Sequence, residues 1–488
     1  MLIIGTGLGG LATGLRLSSK GYLVTFIEKY HQPGGRLNQW KKDGFTFDVG
    51  PSFFSMSYEF KELFDSCGIK NPLVFNELDP VYSVHFSGKI KPYHIYKNLD
   101  QLALEFPEEK DFVAKAKKFL KTGSARFHDT EHRIIKQNFN SLADYFMKMA
   151  SVPLKHLPAL YRSMWDDLSS TFDSEEVKII FSLVGFFLGN TPFDTPAVYS
   201  LLNYTELQHD GYWTVKGGMY SIVEEIMKLL RERNTNFIFN TEITEVIGKN
   251  GAVTAVKDST GKIHTADIIV CNADAAAFRG KILKREKYSE QRLDAMEWTL
   301  APFTIYLGVK GKIPNLSHHT YFLGTNFKEY ANAIFKSSVK PDKPYYYVNA
   351  SSKSDPDCAP QDCENLFILC PVPDLRTKPD WSDTDKLADE IIADLGKRVG
   401  YDIESNILVK EVWNPIRWRD SFNLYKGSGL GLGHRISQIG AMRPRNKDEE
   451  YNNLFYVGAS THPGTGLPIV VIGSKLVTDR IVNEHPLN

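Results

Sequence analysis

The chain is predicted to fold as an α/β protein, a Rossmann-type nucleotide-binding domain joined to a sheet-plus-helix substrate domain. Three observations predict it. A glycine cluster, Gly5-Thr6-Gly7-Leu8-Gly9-Gly10, stands at the N-terminus. Glu28 closes the strand that follows, and a second cluster, Gly458 to Leu467, stands near the C-terminus. Clusters at both ends of a chain point to one extended ligand gripped from two sides.

The elements follow in order. Leu2-Ile3-Ile4 is apolar and reads as a buried strand. Gly5, Gly7 and Gly10 have dinucleotide-binding spacing. The first permits the tight turn, the second lets backbone approach a pyrophosphate, and the third lets helix pack on strand. Gly9 lies in the same turn. Leu11, Leu15 and Leu17 give the next helix an apolar face; Gly14 within it costs about 1 kcal/mol relative to alanine. The helix N-terminus is aimed at the phosphates. Gly21 ends the helix, and Leu23 to Ile27 is the second strand. Glu28 at its end can accept hydrogen bonds from ribose hydroxyls and would repel a 2′-phosphate, which disfavours NADP; Lys29 beside it is a further expected cofactor contact. Only four residues precede Gly5, short for a central strand, so a few native residues are expected ahead of Met1.

Pro33-Gly34-Gly35-Arg36 directly follows the second strand, where a simple NAD dehydrogenase does not need it. Adjacent glycines let backbone pass close to a cofactor, and Arg36 can reach its phosphates or the far end of the groove. This placement resembles flavoproteins of the glutathione-reductase and amine-oxidase type, which implies FAD. Gly44 to Pro51 continues the resemblance, as the strand and turn beside the isoalloxazine; Gly50, Pro51 and Ser52 are taken as contacts. Asp48 reads as a turn-forming or Arg36-pairing acid or, alternatively, as a catalytic one. Lys216-Gly217-Gly218-Met219 then opens an amphipathic helix to about Arg233. Strands at 237–239, 240–243 and 253–256, closed by the segment 268–274, with hairpin signals between them, read as a small meander inserted into the nucleotide domain. In such flavoproteins the residue after Thr-Glu gives backbone contacts to adenine; here that is Ile243. Asn272 follows the last strand.

At the C-terminus, Asn453 to Val457 is a strand and Thr461 to Pro468 opens a helix through about Val482. Pro468 fits the first helical turn. This N-terminus, with Gly458, Gly466 and Leu467, would face the flavin's pyrimidine edge and favour its reduced anion by about 0.3–2 kcal/mol. The run closely resembles the signature of bacterial-type phytoene and carotenoid desaturases. Arg443-Pro444, Gly427 to Gln438, Gly44 to Pro51 and Asn272-Ala273-Asp274 resemble that family too. The resemblance implies desaturation of an acyclic C40 carotenoid. Hydride would pass from an allylic C–H to flavin N5, the vicinal proton would go to a nearby base or water, and oxygen or a quinone would take the electrons. General resemblance leans toward the 3,4-bond of a 1-hydroxylated end group; the alternative is the phytoene or diapophytoene backbone. His462 is either a turn residue or a proton acceptor.

Composition bounds the rest. At 488 residues the chain suits two domains. Lys plus Arg equals Asp plus Glu, so nothing points to nucleic acid. Five scattered cysteines read as reduced cytosolic thiols, and no metal ligand set or signal peptide is evident. No apolar run reaches the roughly 20 residues that span a bilayer. Ile179 to Gly189, preceded by apolar and basic residues from Val152 to Trp165, reads as an interfacial membrane segment, a buried helical cap, or both. A cytoplasmic, peripherally membrane-attached protein is expected, drawing its carotenoid from the bilayer. The expected organisation is an FAD domain from 1–85, 206–290 and 450–488, a helical membrane-proximal part at 86–205, and a substrate sheet at 291–449. An amine oxidase would need a polar, carboxylate-reading pocket. A non-catalytic prenyl-lipid-binding protein of the GDP-dissociation-inhibitor type would not need Gly5, Gly7, Gly10, Glu28 and Arg36 intact.

Overall fold

The computed structural model describes residues 1–336 and 345–487. A five-stranded parallel sheet runs in the order Leu454–Tyr456, Ile269–Cys271, Leu2–Ile4, Thr25–Ile27, Asn236–Ile238. Alternation places Ile3, Phe26 and Val270 on one face and Leu2, Ile4, Ile27 and Ile269 on the other. The first face packs on the helices Leu8–Ser19, Ser221–Glu232 and Leu467–Glu484, through Leu11, Leu15, Ile226, Leu230, Val477 and Ile481. The second lies under an antiparallel meander of Ile243–Lys249, Ala252–Asp258 and Ile263–Thr265. Gly14 has a packing reason: a Cβ there would stand 2.4 Å from the Phe26 ring.

The second strand is shorter than expected. It begins at Thr25, and Leu23 is 88% exposed beyond the sheet. The meander strand expected at 240–243 instead begins at Ile243 and extends to Lys249.

A seven-stranded sheet builds the other half, in the order Ile407–Trp413, Ala301–Lys310, Cys363–Val372, Tyr346–Asn349, His319–Leu323, Tyr82–Phe86, Tyr93–Ile95. Its two faces read off Ala301–Lys310. Phe303, Ile305 and Leu307 pack toward the helix Thr384–Val399, and Tyr306 packs the opposite way. Two of its strands come from before residue 96, so the boundary placed at residue 85 falls inside a strand of this sheet.

The segment between these units is mostly helical. Its apolar run is not a membrane surface: Ile180, Phe181, Leu183 and Val184 are buried against Phe112, Phe119 and Phe172. The exposed apolar residues fall just before it. Phe146 is 60% exposed, Met147 69%, Leu154 80% and Tyr161 82%. No helix among the described residues is long and apolar enough to cross a membrane.

Candidate functional site

One cavity of about 890 Å³ connects the two halves. At one end its wall is backbone. Gly7 caps the helix Leu8–Ser19 without a side-chain hydrogen bond, Gly466 does the same for Leu467–Glu484, and neither helix has an acid in its first turn. Both N-termini therefore present free N–H groups to the cavity. The glycines are required by close approach. A Cβ on Gly7 would meet Asn272 Oδ1 at 2.7 Å, one on Gly10 the Gly5 carbonyl at 2.6 Å, and one on Gly50 the Arg36 carbonyl at 2.0 Å. Gly35 packs against Gly7 so closely that a Cβ would stand 3.3 Å from its Cα.

Glu28 is buried on this wall. One carboxylate oxygen accepts from the Thr6 N–H at 2.7 Å and hydroxyl at 2.6 Å, the other from the Tyr30 N–H at 3.0 Å. This fixes the carboxylate at the strand end with lone pairs left for hydroxyl donors. Lys29 lines the rim but pairs with Glu242 at 3.0 Å. Ile243 lines the wall beside Thr241 and Glu242. Asn272 donates to the Val457 carbonyl at 2.9 Å, and its Oδ1 is buried with no protein partner. An orphaned acceptor between two glycine turns, two uncapped helix ends and a held carboxylate are a donor and acceptor set that fits FAD. Gly5, Gly9, Pro51, Ser52 and Gly458 line the same cavity.

Arg36 donates to the Gly429 carbonyl at 2.7 Å, and burial lowers its pKa from the ordinary value. It thereby joins the Pro33-Gly34-Gly35-Arg36 turn to the 427–438 loop. Arg443, from the Arg443-Pro444 pair of the resemblance, has a structural task. It is buried, and its guanidinium donates to the carbonyls of Gly433, Gln438, Leu432 and Ala459. It cross-links that loop to the C-terminal glycine turn, with its pKa brought down to about 10 by burial.

The two catalytic candidates are placed differently. Asp48 is not part of the main cavity wall. It accepts from the Met219 N–H at 2.8 Å and the Tyr220 N–H at 3.2 Å, capping the helix Ser221–Glu232 from another segment. Burial raises its pKa to about 6 against those bonds. Arg36 is not its partner. His462 lines the cavity, but its Nε2 contacts the Gln137 carbonyl at 2.8 Å and burial lowers its pKa to about 4. His434, which sequence reasoning missed, also lines the cavity. Its Nδ1 meets the Leu188 carbonyl at 3.2 Å and its Nε2 accepts from the Thr465 N–H at 3.4 Å, so an uncharged imidazole braces the signature turn. Burial lowers its pKa to about 3.

Beyond the glycine end the cavity becomes an apolar bore. Phe53, Leu323, Phe327, Phe367, Leu369 and Pro371 wall it on the sheet side. Tyr145, Met149 and Leu160 wall it where the exposed apolar residues 142–161 begin. Among the described residues no cluster of metal ligands exists.

This fold and glycine cradle define a flavoprotein oxidoreductase, and comparison with known proteins says which kind. The flavin-containing amine oxidoreductase family matches residues 8–481. A zeta-carotene-forming phytoene desaturase from Myxococcus xanthus is 34% identical over 99% of this chain and 93% of its own length. A 4,4′-diapophytoene desaturase from a Methylomonas species is 29% identical over 99% and 95%. Among solved structures, cyclohexylamine oxidase from Brevibacterium oxydans superposes with a TM-score of 0.60 at 15% identity, covering 99% of this chain and 98% of that one, a likeness of fold. The chain belongs to the flavin-containing amine oxidoreductase family, among its bacterial-type carotenoid desaturases. It is an FAD-dependent oxidoreductase acting on CH–CH groups.

Proposed function

We propose that the chain desaturates an acyclic C40 carotenoid taken from a membrane, at the 3,4-bond of a 1-hydroxylated end group, with phytoene or diapophytoene backbone desaturation as the alternative bond choice. The observation that carries the reading is continuity. One cavity runs from the glycine cradle, through an apolar bore, to the helices that bear the exposed apolar face. A long hydrocarbon needs that path; a small amine does not.

FAD, when bound, supplies hydride acceptance at N5. The chain's residues bind and orient around it. Gly7 to Gly10 and Glu28 hold the dinucleotide, while the helix beginning at Leu467 places partial positive charge at the other end. Phe53, Phe367 and Leu369 align the polyene and exclude water. A substrate leaving lipid gains almost none of the roughly 0.8 kcal/mol per CH₂ that transfer from water would give. Affinity therefore comes from shape and dispersion, which favours a mouth pressed on the bilayer. Phe146, Met147, Leu154 and Tyr161, exposed beside the bore-lining Tyr145, Met149 and Leu160, support peripheral attachment there. The electron acceptor in this reading is oxygen or a quinone.

Expression in hosts making lycopene-type carotenoids, with and without a 1-hydroxylase, tests the bond. A bathochromic pigment shift only with the hydroxylase is expected. Coloured product from a phytoene-only host, with no shift in the others, would assign the backbone instead.

A further inference from the structure

Among the described residues the bore is mostly apolar, with a group of tyrosines set into its wall. Tyr199, Tyr330, Tyr345, Tyr346 and Tyr347 line the cavity, and each donates its hydroxyl to a protein oxygen. Tyr321 lines it too and does not. Its hydroxyl is buried and has no partner among the described residues. Its ring cannot swing away, because it is wedged between Phe53 at 5.9 Å, Tyr82 at 5.5 Å and Tyr347 at 5.3 Å. Behind it stands Glu206, 2% exposed, one of whose oxygens is also unpaired. Burial raises that acid's pKa to about 8, with the hydroxyls of Tyr82 and Tyr212 drawing it back, so the carboxyl is largely protonated at neutral pH. Tyr212 lines the cavity beside them. On the other side, Tyr347 donates to Ser52 at 2.9 Å and meets His319 Nδ1 at 2.6 Å.

A buried hydroxyl held in place without a partner is costly, and proteins leave few of them. A pure hydrocarbon in the bore would leave this one unsatisfied. A ligand oxygen would satisfy it. Two features set the chemistry of that oxygen. No lysine or arginine among the described residues lines this part of the wall, so an anion has no counter-charge. The neighbouring acid is neutral, so a cation has none either. We propose that Tyr321, backed by Glu206, Tyr82 and Tyr212, is the binding subsite for an uncharged hydroxyl or carbonyl oxygen on the end group of the carotenoid. The inference rests on the carotenoid reading above. Through Tyr347 and Ser52 the subsite adjoins the run expected to face the flavin, so the oxygen sits close to the bond that is desaturated.

The test measures equilibrium binding to the holoenzyme of two probes, lycopene and its 1-hydroxylated derivative, by the shift in polyene absorption. Wild type is expected to prefer the hydroxylated probe about 10-fold, the yield of one good neutral hydrogen bond. Tyr321→Phe should abolish the preference while leaving lycopene affinity, flavin content and thermal stability unchanged. Glu206→Gln should reduce it about 2–3-fold, and Tyr345→Phe, whose hydroxyl is tied to Thr325, should keep it whole. Equal binding of both probes by wild type, or a preference that survives Tyr321→Phe, overturns this inference alone. Binding of neither probe overturns the carotenoid reading and this inference with it.

Discussion

At the glycine end of the cavity the wall is backbone, contributed by two turns and two helix N-termini. At the bore the wall is side chains, contributed by strands and helices far apart in sequence. The first is held by close approach: Gly10 against Gly5, Gly35 against Gly7, Gly50 against Arg36. The second is held by aromatic packing, such as Phe53 on Tyr347 at 4.9 Å and on Tyr321 at 5.9 Å. A backbone wall tolerates no added atom and so fixes residue type. A side-chain wall tolerates exchange of one large apolar group for another and so leaves its ligand's identity to a few polar atoms.

Breaking the backbone wall has the largest expected effect. Gly10→Val places a Cβ 2.6 Å from the Gly5 carbonyl, a contact that no rotamer relieves. FAD affinity should fall roughly 100-fold or more, equivalent to about 2.7 kcal/mol. The purified variant should lack visible flavin absorbance. Retention of flavin at the wild-type ratio would show that this turn does not approach the dinucleotide.

The mouth of the bore is the next largest. The triple change Phe146→Ser, Met147→Ser, Leu154→Ser removes three largely exposed apolar groups, of which Phe146 also touches the Tyr145 ring at 5.6 Å. Partial insertion of each side chain into lipid is worth about 1 kcal/mol, so liposome affinity should drop roughly 100-fold in total. Flavin content and melting temperature should not change. Wild-type sedimentation of this variant with liposomes, or failure of the unmodified protein to sediment at low and moderate salt, would remove the membrane from the reading.

The same contrast explains what could be read from the sequence. The cradle was legible because Gly5, Gly7, Gly10, Gly35, Gly50 and Gly466 stand in short runs with recognisable spacing, although the atom that crowds Gly7 belongs to Asn272. The place of Glu28 on the cavity wall likewise follows from its position at a strand end. The substrate sheet was legible only in part. Tyr82–Phe86 joins it by pairing with His319–Leu323, more than 200 residues later, and nothing near Tyr82 marks that partner. The Ile179 to Gly189 run left two readings open because an apolar helix covering a core and one facing lipid have the same composition; the structure selects the buried cap, with its side chains against Phe112 and Phe172. The cluster around Tyr321 was illegible for a different reason. Tyr82, Glu206, Tyr212 and Tyr321 converge from separate segments, and each alone is an ordinary tyrosine or glutamate.

The smallest predicted effect concerns Asp48, which stands between the two walls. It lies on the strand leading to Gly50, and its carboxylate caps the helix that follows Gly218. Burial raises its folded-state pKa to about 6, above the roughly 3.9 of an unfolded aspartate. A raised pKa means the native state binds the proton more tightly. Its stabilising contribution is complete below about pH 4 and is lost as pH rises through about 6. Asp48→Asn has no such proton to bind and keeps an oxygen that can accept the Met219 N–H. The stability advantage of wild type over the variant should therefore be larger at pH 4 than at pH 7, by on the order of 1–2 kcal/mol after allowing for residual solvent contact. Thermal unfolding of the pair at both pH values measures it. Turnover at pH 7 should be nearly equal, since the carboxylate faces backbone N–H groups and not the bore. A large loss of turnover in Asp48→Asn, with flavin content intact and no pH-dependent difference in melting, would instead make this acid part of the chemistry and move the boundary between cradle and bore to include it.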